Sequence, residues 1–144
     1  MMNQPKTIWI IDDTYEDLYI AEMILKKAIP ECRIVAFQHP EIAYRQLCLY
    51  NTHGQPLPDI IILDLSMPVM SGFDFLESTS QLISNHPPVF ILTSSADERE
   101  KQYAKKFEPV NDFFTKPLTR QMAEQIKNVL HKVALFALIV LPTS

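Results

Sequence analysis

The sequence has few of the residues that build disulfide, zinc or nucleic-acid sites. Its two cysteines, Cys32 and Cys48, have neither a CxxC spacing nor histidine companions. This favours reduced thiols in a cytosolic core over a disulfide or a metal site. The formal net charge is -4, and Lys and Arg form no block longer than a pair. Direct nucleic-acid binding is therefore not expected.

Glycine and long apolar segments are also scarce. Gly54 and Gly72 are the two glycines, and the missing glycine-rich loop after the first apolar run argues against a nucleotide-binding Rossmann domain. Residues 1–7 are polar and the next apolar run breaks at Asp12, so no signal peptide is predicted. The apolar run at 133–141 is shorter than the roughly 20 residues that cross a bilayer. These absences predict a cytoplasmic protein without a membrane span.

Short apolar runs alternate with helical patterns along the chain. The runs, each expected to form a strand, lie at residues 7–11, 33–37, 60–63, 89–92 and 112–114. Helix start signals follow them: Thr14 with Asp17, Pro40, Ser71 with Asp74, Ser95 with Glu98, and a last helix from near Thr119. The first, third and fourth runs are almost continuously apolar, as in central parallel strands covered by helices on both faces. The pattern predicts one α/β domain with an open, doubly wound parallel sheet.

Helical spacing also predicts which side chains face the core. The first helix is expected to bury Leu18, Ala21, Ile24, Leu25 and Ala28, and the third helix Phe75, Leu76, Leu82 and Ile83. Residues 51–58, with one glycine and two prolines, are expected to form an exposed loop.

Polar side chains stand where four of the predicted strands end. Asp12 and Asp13 follow the first, Asp64 the third, Thr93 the fourth and Lys116 the fifth. Because parallel strands bring their carboxyl ends to one edge of the sheet, these residues are expected to line one crevice. Each acid taken singly is equally explained as a loop acid or helix cap, and Lys116 as a solvated loop charge. All of them together predict a functional site.

The chemistry of such a crevice follows from its charges. Three carboxylates a few ångströms apart repel one another unless a cation intervenes. All-oxygen ligands with room for water and phosphate suit Mg²⁺ better than Ca²⁺. Facing the acids, the ammonium of Lys116 could hold a phosphoryl oxygen, and the Thr93 hydroxyl could donate to the same group. Ser94 and Ser95 are alternative caps for the helix that follows.

In this order and spacing, the residues resemble the receiver domain of two-component response regulators, from Ile8 to about Lys132. The resemblance rests on the pair Asp12-Asp13, the segment 64–72 (Asp-Leu-Ser-Met-Pro-Val-Met-Ser-Gly), Thr93 and the pair Lys116-Pro117. It implies a flavodoxin-like fold, a five-stranded parallel sheet in the order 2-1-3-4-5 with helices on both faces.

The resemblance also implies a role for each site residue. Asp64 is the phosphorylated nucleophile; Asp12, Asp13, Asp64 and the backbone carbonyl of Ser66 bind Mg²⁺; Lys116 and Thr93 contact the phosphoryl group; Thr93 and Phe113 form the switch; and the Lys116-Pro117 bond is cis. Phe113 lacks the hydroxyl of the tyrosine often found there, and an ordinary core role explains it equally well. The Glu108-Pro109-Val110 segment replaces the family's glycine and small residue, so Pro109 should stiffen the loop before the last strand.

The organisation expected from the resemblance is a receiver domain at residues 1–132 and an apolar extension of the last helix at 133–144, with no separate effector domain. The phosphoryl donor would be a sensor histidine kinase or a histidine phosphotransfer protein, and output would pass by contact to a downstream protein rather than by enzymatic turnover. The apolar extension favours a homodimer over membrane-surface contact or a non-native extension.

Two other readings are retained as alternatives. One is a receiver-like scaffold that works without phosphorylation, although such scaffolds usually lack acidic or lysine members of the crevice. The other is an aspartate-nucleophile phosphohydrolase. That class expects its nucleophile after the first strand and a second aspartate two positions later, where this chain has Ser66.

Overall fold

The computed structural model describes the backbone of residues 5–140 and, within that range, all side chains except those of residues 136–138 and 140. In this part of the chain, strands and helices alternate. They are β1 (Thr7–Ile11), α1 (Tyr15–Ala28), β2 (Arg33–Phe37), α2 (Pro40–Thr52), β3 (Ile60–Leu63), α3 (Gly72–Leu82), β4 (Val89–Thr93), α4 (Glu98–Ala104), β5 (Val110–Thr115) and α5 (Arg120–Val140).

The strands form one parallel sheet in the order β2-β1-β3-β4-β5. Every residue of β3 and β4 is buried, because helices cover both faces of the sheet and each face has its own apolar cluster. One cluster packs the sheet against α1 and α5, and the other packs it against α2, α3 and α4. The predicted doubly wound α/β fold is confirmed.

Strands β4 and β5 are longer than their apolar runs predict. β4 includes Thr93, which pairs with Thr115, and β5 begins at Val110. The edge position of β5 explains the underestimate, because Asn111 and Asp112 are exposed there and interrupt the apolar pattern. Pro109 has no N–H, but its carbonyl accepts a 2.8 Å hydrogen bond from the Val89 N–H and so aligns the start of β5 with β4.

The helix start signals are partly right. Pro40 is at the first turn of α2, and Ser71 and Asp74 form the predicted capping box of α3. The signal at Ser95 is wrong by two residues, because Asp97 caps α4 by accepting a hydrogen bond from the Arg99 N–H. The signal at Thr14 is right in position, but the Thr14 side chain makes no capping hydrogen bond. Its proposed partner Asp17 is engaged elsewhere, as described below.

Some burial predictions are wrong because the elements end earlier or later than expected. Leu82 is 57% exposed, since α3 ends there and Ile83, just past the helix, takes the core position instead. Within the predicted 51–58 loop, the first two residues belong to α2, and Pro58 is buried. Cys32 and Cys48 are free thiols, in keeping with the expectation from their spacing.

The proposed domain boundary at residue 132 lies inside α5, which continues to Val140. Leu135 and Ile139, on its last turns, are 58% and 73% exposed. The apolar run ends at Leu141, and residues 141–144 of the predicted extension lie outside the described residues, as do residues 1–4 of the N-terminal segment. Between residues 5 and 140, no helix is long and apolar enough to cross a membrane.

Candidate functional site

The carboxyl edge of the sheet gathers three aspartates. Asp12 and Asp13 leave β1 and Asp64 leaves the adjacent strand β3, so the strand order makes them neighbours. One carboxylate oxygen of each lies within 4.8 Å of the others. Asp12 and Asp64 are buried, and Asp13 is half-buried. Three carboxylates so close together repel one another strongly unless positive charge lies between them.

Backbone hydrogen bonds fix the orientation of the two buried carboxylates. Oδ1 of Asp12 accepts a 2.9 Å hydrogen bond from the Thr14 N–H, and Oδ1 of Asp64 accepts one of 2.9 Å from the Leu65 N–H. The Asp64 N–H in turn donates to the Ile11 carbonyl across the β1–β3 pair, at 2.9 Å. The other carboxylate oxygen of each residue, Oδ2, lies close to a neighbouring cation.

That cation is Lys116, which follows β5 and reaches back over the sheet edge. Its Nζ lies 2.6 Å from Oδ2 of Asp12, 2.8 Å from Oδ2 of Asp17 and 3.3 Å from Oδ2 of Asp64. The Lys116 N–H donates to the Thr93 carbonyl at 2.8 Å, and the Lys116-Pro117 peptide bond is cis. We refer to Asp12, Asp13, Asp64 and Lys116 as the acidic site.

Asp17 is the residue of this region that the sequence pattern misassigned. The Thr14-x-x-Asp17 spacing indicates a capping box, in which Asp17 turns back toward the helix start. In the structure, the Thr14 N–H is already bound to Asp12, and the carboxylate of Asp17 accepts a hydrogen bond from Lys116, 99 positions away. The surplus of acids over basic residues at the strand ends was the one available signal for this contact.

Burial and ion pairing shift the pKa values of Asp12, Asp64 and Lys116. Burial raises the pKa of Asp12 to about 6, although the hydrogen bonds from Lys116 and the Thr14 N–H act in the opposite direction. Burial also raises the pKa of Asp64, and the nearby charge of Lys116 opposes that rise. Burial alone would lower the pKa of Lys116, but the hydrogen bonds to Asp12 and Asp17 outweigh it and raise that pKa above its ordinary value.

The residues present fit a small divalent cation. When ionised, Asp12, Asp13, Asp17 and Asp64 carry one negative charge each, whereas Lys116 carries one positive charge, so the region has a large negative surplus. All ligand candidates are oxygens, as Mg²⁺ prefers. The Ser66 carbonyl, a further expected ligand, accepts no backbone hydrogen bond from the described part of the chain.

The loop from Asp64 to α3 is tightly packed at Gly72. The Gly72 N–H donates to the Leu65 carbonyl at 2.9 Å. A Cβ at position 72 would overlap the Asp64 carbonyl oxygen and lie 2.8 Å from Cα of Leu65. Glycine is therefore required here by the close approach of two backbone segments, one of which carries Asp64.

The same loop contains a strained residue, Val69, whose φ is 70°. This left-handed conformation costs an L-residue about 1–2 kcal/mol, and a β-branched side chain rarely adopts it. Val69 is 89% exposed, so no packing compensates the strain. The loop that follows Asp64 thus holds stored backbone strain beside the acidic site.

Val69→Asn is expected to raise the free energy of unfolding by about 1 kcal/mol, because asparagine tolerates the left-handed region. Urea unfolding followed by the fluorescence of Trp9, the single and buried tryptophan, measures this change. The matched variant Val69→Ala keeps a Cβ and should gain less. Equal stability of the asparagine variant and the wild type would show that the conformation carries no strain.

The remaining predicted site residues, Thr93 and Phe113, lie on neighbouring strands. Thr93 is completely buried, and its Oγ1 accepts a 3.4 Å hydrogen bond from the Ser95 N–H. Phe113 pairs with Ile91 in the β4–β5 ladder and is half-buried against the cluster on the α2, α3 and α4 side. Ser95 is therefore engaged in the turn that follows β4, where its Oγ also accepts from the Asp97 N–H at 3.2 Å.

The sheet order and the lysine-linked acids at its carboxyl edge define a doubly wound α/β domain of the receiver type. A family model described as the response regulator receiver domain matches residues 8–128. The chain belongs to the response regulator receiver domain family, whose members are signalling domains with an acidic pocket that generally binds Mg²⁺.

Comparisons with individual proteins agree with this assignment. The chain is 26% identical over 137 residues to the transcriptional regulatory protein CreB of Escherichia coli, covering 93% of this chain and 55% of CreB. It is 33% identical over 98 residues to protein-glutamate methylesterase/protein-glutamine glutaminase 3 of Leptospira interrogans, covering 67% of this chain and 25% of that protein. The chain thus spans about half or less of the length of these relatives.

Among solved structures, a two-component response regulator from Cytophaga hutchinsonii is similar in fold. Its TM-score is 0.79 at 24% sequence identity, and the match covers 92% of this chain and 99% of that one. At this identity the likeness supports the fold, while the chemistry of the site depends on the residues described above.

Proposed function

We propose that this domain accepts a phosphoryl group on Asp64 from a sensor histidine kinase or a histidine phosphotransfer protein and signals by contact with a downstream protein. The observation that carries the proposal is the arrangement around Oδ2 of Asp64. This oxygen lies 3.3 Å from the Lys116 ammonium, and one carboxylate oxygen of Asp64 lies within 4.8 Å of those of Asp12 and Asp13. A carboxylate so placed can act as a nucleophile toward phosphorus while its neighbours neutralise the transferred group.

The proposed reaction uses the two oxygens of Asp64 differently. Oδ1 is engaged by the Leu65 N–H, so Oδ2 is the oxygen available for attack. A bond forms between Oδ2 and the phosphorus of a phosphohistidine, and the phosphorus–nitrogen bond breaks with its electron pair left on the imidazole. Lys116 neutralises the phosphoryl oxygens, which is the main requirement of such a loose transition state.

The metal in this proposal is Mg²⁺. Asp12, Asp13, Asp64 and the Ser66 carbonyl would hold it. It would supply positive charge to the phosphoryl oxygens in addition to that of Lys116. The negative surplus of the acidic site supports this assignment.

The proposed signal passes from Asp64 to β4 and β5. Phosphorylation adds charge and acceptor oxygens, which draw the Thr93 hydroxyl toward Asp64. Because Thr93 is fully buried, its movement changes the packing at the end of β4, and Phe113 on the adjacent strand follows. The 2.8 Å hydrogen bond from the Lys116 N–H to the Thr93 carbonyl links the ends of the same two strands.

Incubation with Mg²⁺ and acetyl phosphate is expected to give one phosphoryl adduct per chain, measured by intact-protein mass spectrometry. Asp64→Asn should abolish the adduct, because an amide is not a nucleophile of this kind. The control Asp112→Asn, at an exposed position on β5, should be phosphorylated like the wild type.

Other outcomes of this experiment favour the alternatives. Absence of the adduct, together with absence of Mg²⁺ binding, would support a scaffold that works without phosphorylation. Release of many phosphate ions per chain with no adduct accumulating would support a phosphohydrolase, because the proposed domain dephosphorylates itself only after the adduct has formed. Either result would contradict the proposed phosphoacceptor function.

A further inference from the structure

Asp17 contacts the lysine of the acidic site but stands outside the three-carboxylate cluster. Its Oδ2 is 2.8 Å from Nζ of Lys116. The carboxylate oxygens that lie within 4.8 Å of one another belong to Asp12, Asp13 and Asp64. The side chain of Asp17 is 33% exposed, compared with 11% for Lys116. Asp17 therefore contacts the lysine but is not one of the expected metal ligands.

Local structure explains why Asp17 is available for this contact. It lies in the first turn of α1, where its spacing from Thr14 would ordinarily place it in a capping box. The Thr14 N–H donates instead to Oδ1 of Asp12, at 2.9 Å. The carboxylate of Asp17 is thus released from the helix start and turns toward the connection between β5 and α5, where Lys116 lies.

The three carboxylates around Lys116 take up its donors at unequal distances. An ammonium group has three N–H donors, and the distances from Nζ are 2.6 Å to Asp12, 2.8 Å to Asp17 and 3.3 Å to Asp64. Charge-assisted hydrogen bonds of this type are usually about 2.7–2.9 Å long. The contact with Asp64 is therefore the loosest, and the ammonium is held on the side of Asp12 and Asp17.

A phosphoryl group on Asp64 would bring further oxygens that need the same donors. Asp12 has the expected metal ion as a second positive partner. Asp17 has no ion-pair partner other than Lys116 among residues 5–140. Its attraction is thus directed at Lys116 alone and opposes the approach of the ammonium to Asp64.

We propose that Asp17 is a positioning residue that draws the Lys116 ammonium away from Asp64 and so weakens the hold of the site on a phosphoryl group. This inference rests on the proposed function of Asp64. Without the Asp17 carboxylate, one N–H of Lys116 becomes free, and the ammonium closes on Asp64 and on any group bound to it.

The test compares Asp17→Asn with Glu16→Gln in the full chain, using beryllofluoride with Mg²⁺ as a phosphoryl analogue. Glu16 is exposed, lies in the same first turn of α1 and has no ion pair in the described residues. Each variant loses one negative charge and the same favourable interaction with the helix N-terminus. Asp17→Asn is expected to bind beryllofluoride about three- to tenfold more tightly than the wild type, and Glu16→Gln is expected to match the wild type.

A second measurement probes the contact without any phosphoryl analogue. Exchange of the Lys116 ammonium protons with water can be followed by NMR in the metal-free protein. It should be at least about threefold faster in Asp17→Asn than in the wild type, because the amide of asparagine is a weaker acceptor for the ammonium than the carboxylate of Asp17. Glu16→Gln should leave the exchange rate unchanged. A role of Asp17 confined to helix stability would affect both variants alike.

The outcomes separate this inference from the function on which it rests. Beryllofluoride binding that is equal in the two variants, or weaker in Asp17→Asn, would overturn the role of Asp17 alone. A wild-type protein that binds no beryllofluoride would overturn the phosphoacceptor function. It would also overturn the proposed competition between Asp17 and a phosphoryl group for Lys116. Tighter binding and faster proton exchange confined to Asp17→Asn would support the inference.

Discussion

Gly72→Ala is expected to lower the free energy of unfolding by about 3 kcal/mol. Overpacking usually costs about 1–3 kcal/mol, and we expect the upper value here because the new Cβ meets backbone atoms. The new Cβ would overlap the Asp64 carbonyl oxygen and lie 2.8 Å from Cα of Leu65. Neither atom can move by a change of side-chain rotamer. Either the loop after Asp64 or the start of α3 must shift, and urea unfolding followed by Trp9 fluorescence measures the cost.

The same substitution should impair phosphoryl acceptance. The Asp64 carbonyl oxygen belongs to the residue whose Oδ2 lies 3.3 Å from Lys116. A displacement of about 1 Å at a reacting group can reduce a rate about a hundredfold. We therefore expect phosphorylation by acetyl phosphate to slow by about this factor in Gly72→Ala, under conditions in which the variant is still folded.

The other glycine provides the control. Gly54 has a φ of 66°, and nothing lies within 4 Å of a Cβ built there. Gly54→Ala should therefore lose only the conformational term, about 1 kcal/mol, and should be phosphorylated at the wild-type rate. If the two variants lost equal stability and equal activity, the close approach at Gly72 would not be the cause.

Lys116→Met is expected to lower the free energy of unfolding of the metal-free protein by about 3 kcal/mol, as when one partner of a buried ion pair is removed. The lysine is the cation that binds the carboxylates of Asp12, Asp17 and Asp64, and methionine leaves their mutual repulsion without compensation. Mg²⁺ should restore much of this stability, because it supplies positive charge to the same acids. Urea unfolding with and without Mg²⁺ tests both statements.

Phosphorylation of Lys116→Met by acetyl phosphate should be about a hundredfold slower than in the wild type, the usual effect of losing one group that stabilises transition-state charge. Lys105→Met, at an exposed position after α4, is the control and should retain stability and rate. Unchanged stability of metal-free Lys116→Met would show that the lysine does not compensate the acids.

The fold and the strand-end residues were accessible from the sequence because they depend on local patterns. Continuous apolar runs identify central parallel strands, and residues that follow such runs must lie at the carboxyl edge of the sheet. Asp12, Asp13, Asp64, Thr93 and Lys116 were found in this way. The edge strand β5 was underestimated because its exposed face breaks the pattern, and Leu82 was misplaced because the end of α3 was not predicted.

Two features that control the acidic site had no such local signal. The role of Gly72 depends on how closely α3 approaches the Asp64 backbone, and that distance is set by the packing of the helix on the sheet. The contact of Asp17 with Lys116 joins residues 99 positions apart. The local pattern favoured a capping box with Asp17. That box does not form, because the Thr14 N–H donates its hydrogen bond to Asp12 instead.

The sequence by itself determined the order of strands and helices along the chain and the chemical groups at the strand ends, because hydrophobic periodicity and chain connectivity are enough to specify them. Only the tertiary structure decided which acids share Lys116 and which position has no room for a side chain. Those outcomes depend on how closely separate segments of the chain approach one another, and these distances are fixed only when the helices pack on the sheet.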